Sequence, residues 1–187
     1  MTTVTVRRIT AARLPAIGAI AFAAVLAVAS QFAIPIPGTP VPITLQPLVV
    51  VLAGLMLGPA AAAASMVMYL AAGAAGLPVF APVGPPGLAR LLGPTGGYLL
   101  AYPAAAVVAG VIAWSRGRAA VGFARRVLAA AAGILVLYVG GVAQLAVLTG
   151  SLTRAVELGV PPFVAFDALK AVVAAALSGT LATRLRR

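Results

Sequence analysis

One aspartate and one lysine stand three residues apart in the run VPPFVAFDALKAVVAAALSG, and no other residues of this chain are better suited to chemistry. Asp167 is one of two acidic residues, and Lys170 is the sole lysine. On a helix, positions i and i+3 share a face. There the carboxylate offers two acceptor oxygens for ligand N–H groups, while the ammonium offers donors to a carbonyl or carboxylate. The alternative is a self-neutralising pair that only holds helices together. An apolar replacement of similar volume is often neutral or stabilising, so stability alone is a poor reason for such a pair. If the run crosses a bilayer, each charge costs about 2.5–3.5 kcal/mol at mid-membrane, which turns the shared face inward to a cavity. Ligand contact is the reading taken.

Other chemistries are poorly provided for. The sequence has no cysteine and no histidine, so a disulfide, a zinc or haem ligand set and a histidine base are excluded within it. Glu157 follows Arg154 by three residues and reads as half of a solvated surface pair of little energetic worth. GPTGGYL, residues 93–99, puts glycines ahead of an apolar run, where backbone N–H groups can approach a ligand. It lacks the GxxxxGK[ST] pattern, so any dependence on ATP has to come from a partner. An enzyme using Asp167 or Lys170 as base would lack the nucleophile, acid and orienting group that such sites assemble. No enzymatic activity and no cofactor are expected.

The elements that must position the pair are those of a membrane protein. The chain is 63% hydrophobic and 8% charged, and no Asp, Glu, Lys or Arg occurs from Leu14 to Ala89. At ~20 apolar residues per span, the length allows one domain over 1–187 with about six spans. Apolar runs punctuated by Gly and Pro place them at 14–34, 44–57, 60–76, 95–115, 127–149 and 161–183. The second is short for a bilayer, so a tilted pair with the third, partly buried in protein, is expected. The expectation is an all-α integral membrane fold of six transmembrane helices. Residues 1–30 resemble a secretory signal in outline but are read as an uncleaved first span.

The net charge of +11 would raise nucleic-acid binding in a soluble protein. Here the arginines sit at the edges of apolar runs. With alternating spans, Arg7, Arg8, Arg13, Arg116, Arg118, Arg125, Arg126, Arg184, Arg186 and Arg187 fall on one side and only Arg90 and Arg154 on the other. This positive-inside pattern puts both termini in the cytoplasm, and nucleic acid is not expected as a partner. On the outer side, prolines at 35, 37, 40, 42 and 47 forbid a helix in the first loop. The Gly/Pro-rich segment between the third and fourth spans carries Leu77, Val79, Phe80, Leu88 and Tyr98, too apolar for a solvated linker. It is expected to fold down as a cap. On the first span, Ala19, Ala23 and Ala27 recur every four residues, a small-residue stripe suited equally to internal packing and to an external helix.

Four segments in this order, PVPITLQPLVVVLAGLMLGP at 40–59, GAAGLPVF at 73–80, LLGPTGGYLLAYP at 91–103 and PPFVAFDALK at 161–170, resemble the BioY family, the biotin-specific membrane components of energy-coupling-factor vitamin transporters. The resemblance runs from about Ala21 to Lys170. It implies a six-helix substrate-binding component in the cell membrane of a prokaryote that takes up biotin, whose ureido ring has two N–H groups and a carbonyl and whose valerate tail ends in a carboxylate. It maps the family's Asp-x-x-Lys pair onto Asp167 and Lys170 and its capping loop onto residues 77–97, with Phe80, Gly97 and Tyr98 as wall contributors. It also assigns Ala19, Ala23 and Ala27 to docking on a transmembrane coupling protein driven by two cytoplasmic ATPases. One departure is the lack of any asparagine, which leaves Gln46, Gln144 or backbone to supply an amide. The competing reading is a carrier that works alone, with Asp167 taking up a coupling proton.

Overall fold

The computed structural model describes residues 2–115 and 121–184, with side chains over 16–115 and 121–181. It is mostly helical. Helix α1 spans Thr2–Ser30, and α2 and α3 follow at Gln46–Leu57 and Pro59–Ala74. After α3, two short helices, α4 (Leu88–Leu92) and α5 (Gly96–Leu100), lead into α6 (Tyr102–Trp114). The chain continues through α7 (Phe123–Thr149), α8 (Leu152–Gly159) and α9 (Val164–Arg184). Helix thus covers each of the apolar runs singled out in the sequence.

Local chemistry sets the boundaries. Gly58, at φ 81°, separates α2 from α3, with Pro59 at the first position of α3, where its missing N–H costs nothing. The fourth run divides at Ala101 because Pro103 cannot donate to the carbonyl four residues back. Gly150 ends α7 in the left-handed conformation, and the Ser151 side chain then caps α8 by accepting from the Arg154 N–H at 3.3 Å. Between α1 and α2 the proline-rich loop holds no helix, as expected, whereas Pro47 lies in the first turn of α2. The loop forms a minimal antiparallel hairpin of β1 (Ala33–Ile34) and β2 (Ile43–Thr44), with Ala33 opposite Thr44 and Ile34 opposite Ile43. Helices α4 and α8 lie where the sequence reading has only loop.

Helix α2 is the centre of the bundle. Every residue from Val49 to Leu55 is buried, against α1, α3, α6, α7 and α9. Its 12 residues rise only ~18 Å, too little for a bilayer. Burial eases the difficulty, since its middle turns meet protein and not hydrocarbon. The core has two main parts. One joins Leu26, Val50, Met66, Tyr69, Phe80, Tyr102 and Leu137, and the other joins Val51, Leu52, Ala109, Ala130, Ile134 and Ala174.

The outer surface is apolar. Ile17, Ile20, Val25 and Val28 on α1, Leu128, Leu135 and Val139 on α7, and Phe166, Leu169 and Val172 on α9 are all exposed. Contiguous apolar surface on this scale suits hydrocarbon, not water. By length and composition α7 and residues 164–181 of α9 are able to cross a membrane, while the apolar stretches of α1, α2, α3 and α6 are shorter. Arg125 donates to the Ile112 carbonyl at the C-terminal end of α6, at 2.8 Å. Arg116, Arg118, Arg186 and Arg187 lie outside the described residues.

Candidate functional site

Pro161 and Pro162 end the connection from α8, and α9 begins at Val164, so Asp167 lies in its first turn and Lys170 one turn later. Both are buried, at 6% and 9% exposure, in a stretch whose neighbours Phe166 and Leu169 face outward. Lys170 Nζ donates to Asp167 Oδ1 at 2.7 Å, and the Tyr138 hydroxyl, from the middle of α7, donates to Oδ2 at 2.8 Å. Among the described residues the only other ion pair is Arg154 with Glu157, at 3.1 Å on the exposed face of α8. That pair is the surface feature its spacing suggests.

Asp167 and Lys170 form one wall of a cavity with about 600 Å³ of atom-free space, part of it open to solvent. The hairpin strand β2 and the start of α2 supply Ile43, Thr44, Gln46 and Pro47. The segment between α3 and α5 supplies Phe80, Ala81, Arg90 and Thr95, and the α5–α6 pair supplies Tyr98, Leu99 and Tyr102. The lining is thus mostly apolar, with a few convergent polar groups.

Each polar group is held in place. Gln46 Nε2 donates to the Tyr69 hydroxyl at 2.7 Å, and Thr44 Oγ1 to Gln46 Oε1 at 3.2 Å. Tyr98 donates to the Gly159 carbonyl at 2.7 Å, tying α5 to the end of α8. Arg90 is 4% exposed, and its guanidinium donates to the carbonyls of Pro85 (3.0 Å), Ala81 (2.6 Å) and Val83. Desolvation lowers its pKa from the ordinary value, opposed by the neighbouring Tyr69. From α1, Ser30 donates to the Val79 carbonyl at 2.6 Å and Gln31 to that of Phe80 at 3.2 Å. The segment between α3 and α5 is therefore tied down from its own helix α4 and from the C-terminal end of α1.

Of the residues singled out in the sequence, Asp167, Lys170, Phe80 and Tyr98 come together on this cavity. Gly97 does not. It faces Gly140 of α7, where a β-carbon would fall 2.2 Å from the Gly140 carbonyl oxygen, so its part is to let α5 and α7 touch. The alanine stripe is also differently placed from its docking assignment. Ala19 is 3% exposed, and Ala23 and Ala27 are half-buried against the core. The outward face of α1 carries Ile17, Ile20, Ala21, Ala24, Val25 and Val28 instead. Gln46 is on the cavity, whereas Gln144 donates to the Leu91 and Gly93 carbonyls behind it.

Sequence reasoning missed Arg90, Tyr138, Thr44, Tyr102 and Phe163 as site residues. For Arg90 a signal existed, since it is the only charged residue between Leu14 and Ser115. Tyr138 gave only the faint signal of one polar tip within ILVLYVGG.

Known proteins resemble this one along nearly its full length. A probable biotin transporter BioY of Pyrococcus horikoshii is 41% identical over 86% of this chain and 91% of its own. The biotin transporter BioY of Thermotoga maritima is 36% identical over 84% and 89%. In fold, the chain is similar to the crystal structure of the S-component for biotin from an ECF-type ABC transporter, with a TM-score of 0.79 over 97% of this chain and 94% of that one at 24% identity. The family model described as the BioY family matches residues 2–187, and the chain belongs to that family.

Proposed function

We propose that this protein binds biotin from the outer side of a prokaryotic cell membrane and serves as the substrate-binding component of an ATP-driven uptake system. The buried Asp167–Lys170 pair on the cavity wall carries the reading. A family of transporters supplies the class of solute, and the pair supplies groups that match its polar head. Asp167 keeps acceptor capacity beyond its two bonds, enough for ureido N–H groups, and Lys170 keeps donors for the ureido carbonyl. The valerate carboxylate then falls to Arg90, which has five N–H donors and spends three on carbonyls. Phe80, Tyr98 and Phe163 provide apolar walls for the ring and chain.

In this reading α1, α2, α3, the α5–α6 pair, α7 and α9 are six spans with cytoplasmic termini, and residues 77–97 cap the cavity from outside. The place of Arg125 at the C-terminal end of α6, with the arginine-rich connection to α7, supports that orientation. The absence of a phosphate-loop motif supports separate energising subunits, a membrane coupling protein with two ATPases. The outward face of α1 is the surface left for the coupling protein.

Equilibrium binding of biotin to the purified protein tests the reading. Asp167→Ala is expected to lose binding while its thermal unfolding stays cooperative, and equal binding by that variant would sink the site. Uptake by vesicles that hold only this chain, driven by a pH gradient, would replace the partner-driven scheme with a carrier that works alone.

A further inference from the structure

Asp167 borders two spaces. One is the cavity already described. The other is a crevice between α7 and α9, lined by Ala131, Ile134, Leu135, Tyr138, Val164, Ala168 and Ala171 together with Asp167. The rim residues Ala131, Leu135, Val164 and Ala168 are exposed on the apolar outer face, so the crevice approaches the ion pair from the lipid side. Tyr138 lines this crevice and is absent from the cavity wall. Its hydroxyl nevertheless reaches Asp167 Oδ2 at 2.8 Å.

We propose that Tyr138 is a positioning residue of the binding site, which fixes the plane of the Asp167 carboxylate from behind and so decides how its oxygens meet ligand N–H groups. The terminal torsion of an aspartate is broad, so one bond from Lys170 to Oδ1 leaves the carboxylate free to turn. A second bond to the other oxygen removes that freedom. Both bonds are charge-assisted and lie in surroundings of low polarity, where orientation is worth most. With both oxygens held, the carboxylate keeps one plane toward the cavity that Asp167 lines. Tyr138 touches no ligand in this arrangement and acts only through Asp167. The role rests on the biotin reading for the identity of the ligand, but the contact itself does not.

The sequence offers a direct test. With one aspartate and one lysine in the whole chain, labelling aspartate with 13C at Cγ and lysine with 15N at Nζ gives one resonance from each, with no assignment problem. In Tyr138→Phe the Asp167 resonance is expected to move, and biotin binding to weaken by roughly 10- to 100-fold. A biotin analogue methylated at one ureido nitrogen should be affected far less, so the preference of the protein for biotin over the analogue collapses. Tyr138→His, which keeps a ring with a donor, should recover part of that preference. Leu135→Ala, on the crevice wall without a polar contact, should leave the resonance and the preference unchanged. Equal weakening of both ligands in Tyr138→Phe, or an unmoved Asp167 resonance, would overturn the positioning role. A resonance that moves in Tyr138→Phe, in a protein whose unmutated form binds no biotin, would support the role and overturn the biotin reading instead.

Discussion

The ring of Phe80 occupies the space that any side chain at Gly73 would need, since a β-carbon there would meet Phe80 Cζ at 2.2 Å. The ring also meets Tyr69 edge-on, with centroids 5.4 Å apart and planes at 74°. A bare patch on α3 therefore lets the segment between α3 and α5 seat its aromatic residue in the core, where Phe80 is both core and cavity wall. Gly73→Ala must push the ring out or shift the helix. Overpacking of this kind costs about 1–3 kcal/mol. Thermal unfolding in detergent should fall accordingly, and biotin affinity should fall with it, because the displaced ring is part of the wall. Unchanged affinity in a destabilised variant would separate Phe80 from the site.

The ion pair makes a different prediction. Removing one member of a buried pair leaves an uncompensated charge and costs about 3–5 kcal/mol, whereas replacing both by uncharged groups is often neutral. Lys170→Met is thus expected to be much less stable than the double variant Asp167→Asn, Lys170→Met, although neither should bind biotin. Thermal unfolding with binding calorimetry on the two variants checks the order. A Lys170→Met protein as stable as the double variant would mean that the carboxylate finds enough support from Tyr138 alone.

Arg90 should matter through geometry as much as charge. Its planar fork reaches three carbonyls at 81, 83 and 85, which a lysine's point charge cannot span at once. Arg90→Lys is expected to speed hydrogen exchange at the amides of Ala81, Val83 and Gly84 and to weaken biotin by about tenfold or more, the loss of one charge-assisted bond. Faster exchange with full affinity would leave Arg90 as a strut for the loop without a ligand role.

How far these features were legible in the sequence depends on the kind of signal each one left. The helical runs could be read because hydropathy with Gly and Pro punctuation marks them directly, and Asp167 and Lys170 because charge is rare in apolar surroundings. Helix α4 escaped because five residues leave no period to detect, and α8 because its eight residues include an exposed Arg–Glu pair that resembles loop. Facing was the least legible property. Four-residue spacing marks a stripe, but in α1 both faces carry small residues, Ala19, Ala23 and Ala27 on one and Ala21 and Ala24 on the other. Only the packing of α1 against α2 and α3 decides which is buried. Gly97 misled for a related reason, since a glycine that admits a ligand and one that admits a helix look alike in sequence.

The two faces of α1 can be told apart by experiment. If the outward face meets a coupling protein, bulk added there should leave the isolated chain intact and disturb only its partnership. Ala24→Leu, with an exposed starting side chain, is expected to keep its melting temperature and biotin affinity within error while losing ATP-driven uptake in cells that supply the partners. Ala19→Leu adds the same volume at a site 3% exposed, so it should cost about 1–3 kcal/mol of stability before any partner is involved. The pair of variants separates folding from docking because the substitution is identical and only the face differs. Uptake that survives Ala24→Leu at normal expression would move the docking surface off this face of α1.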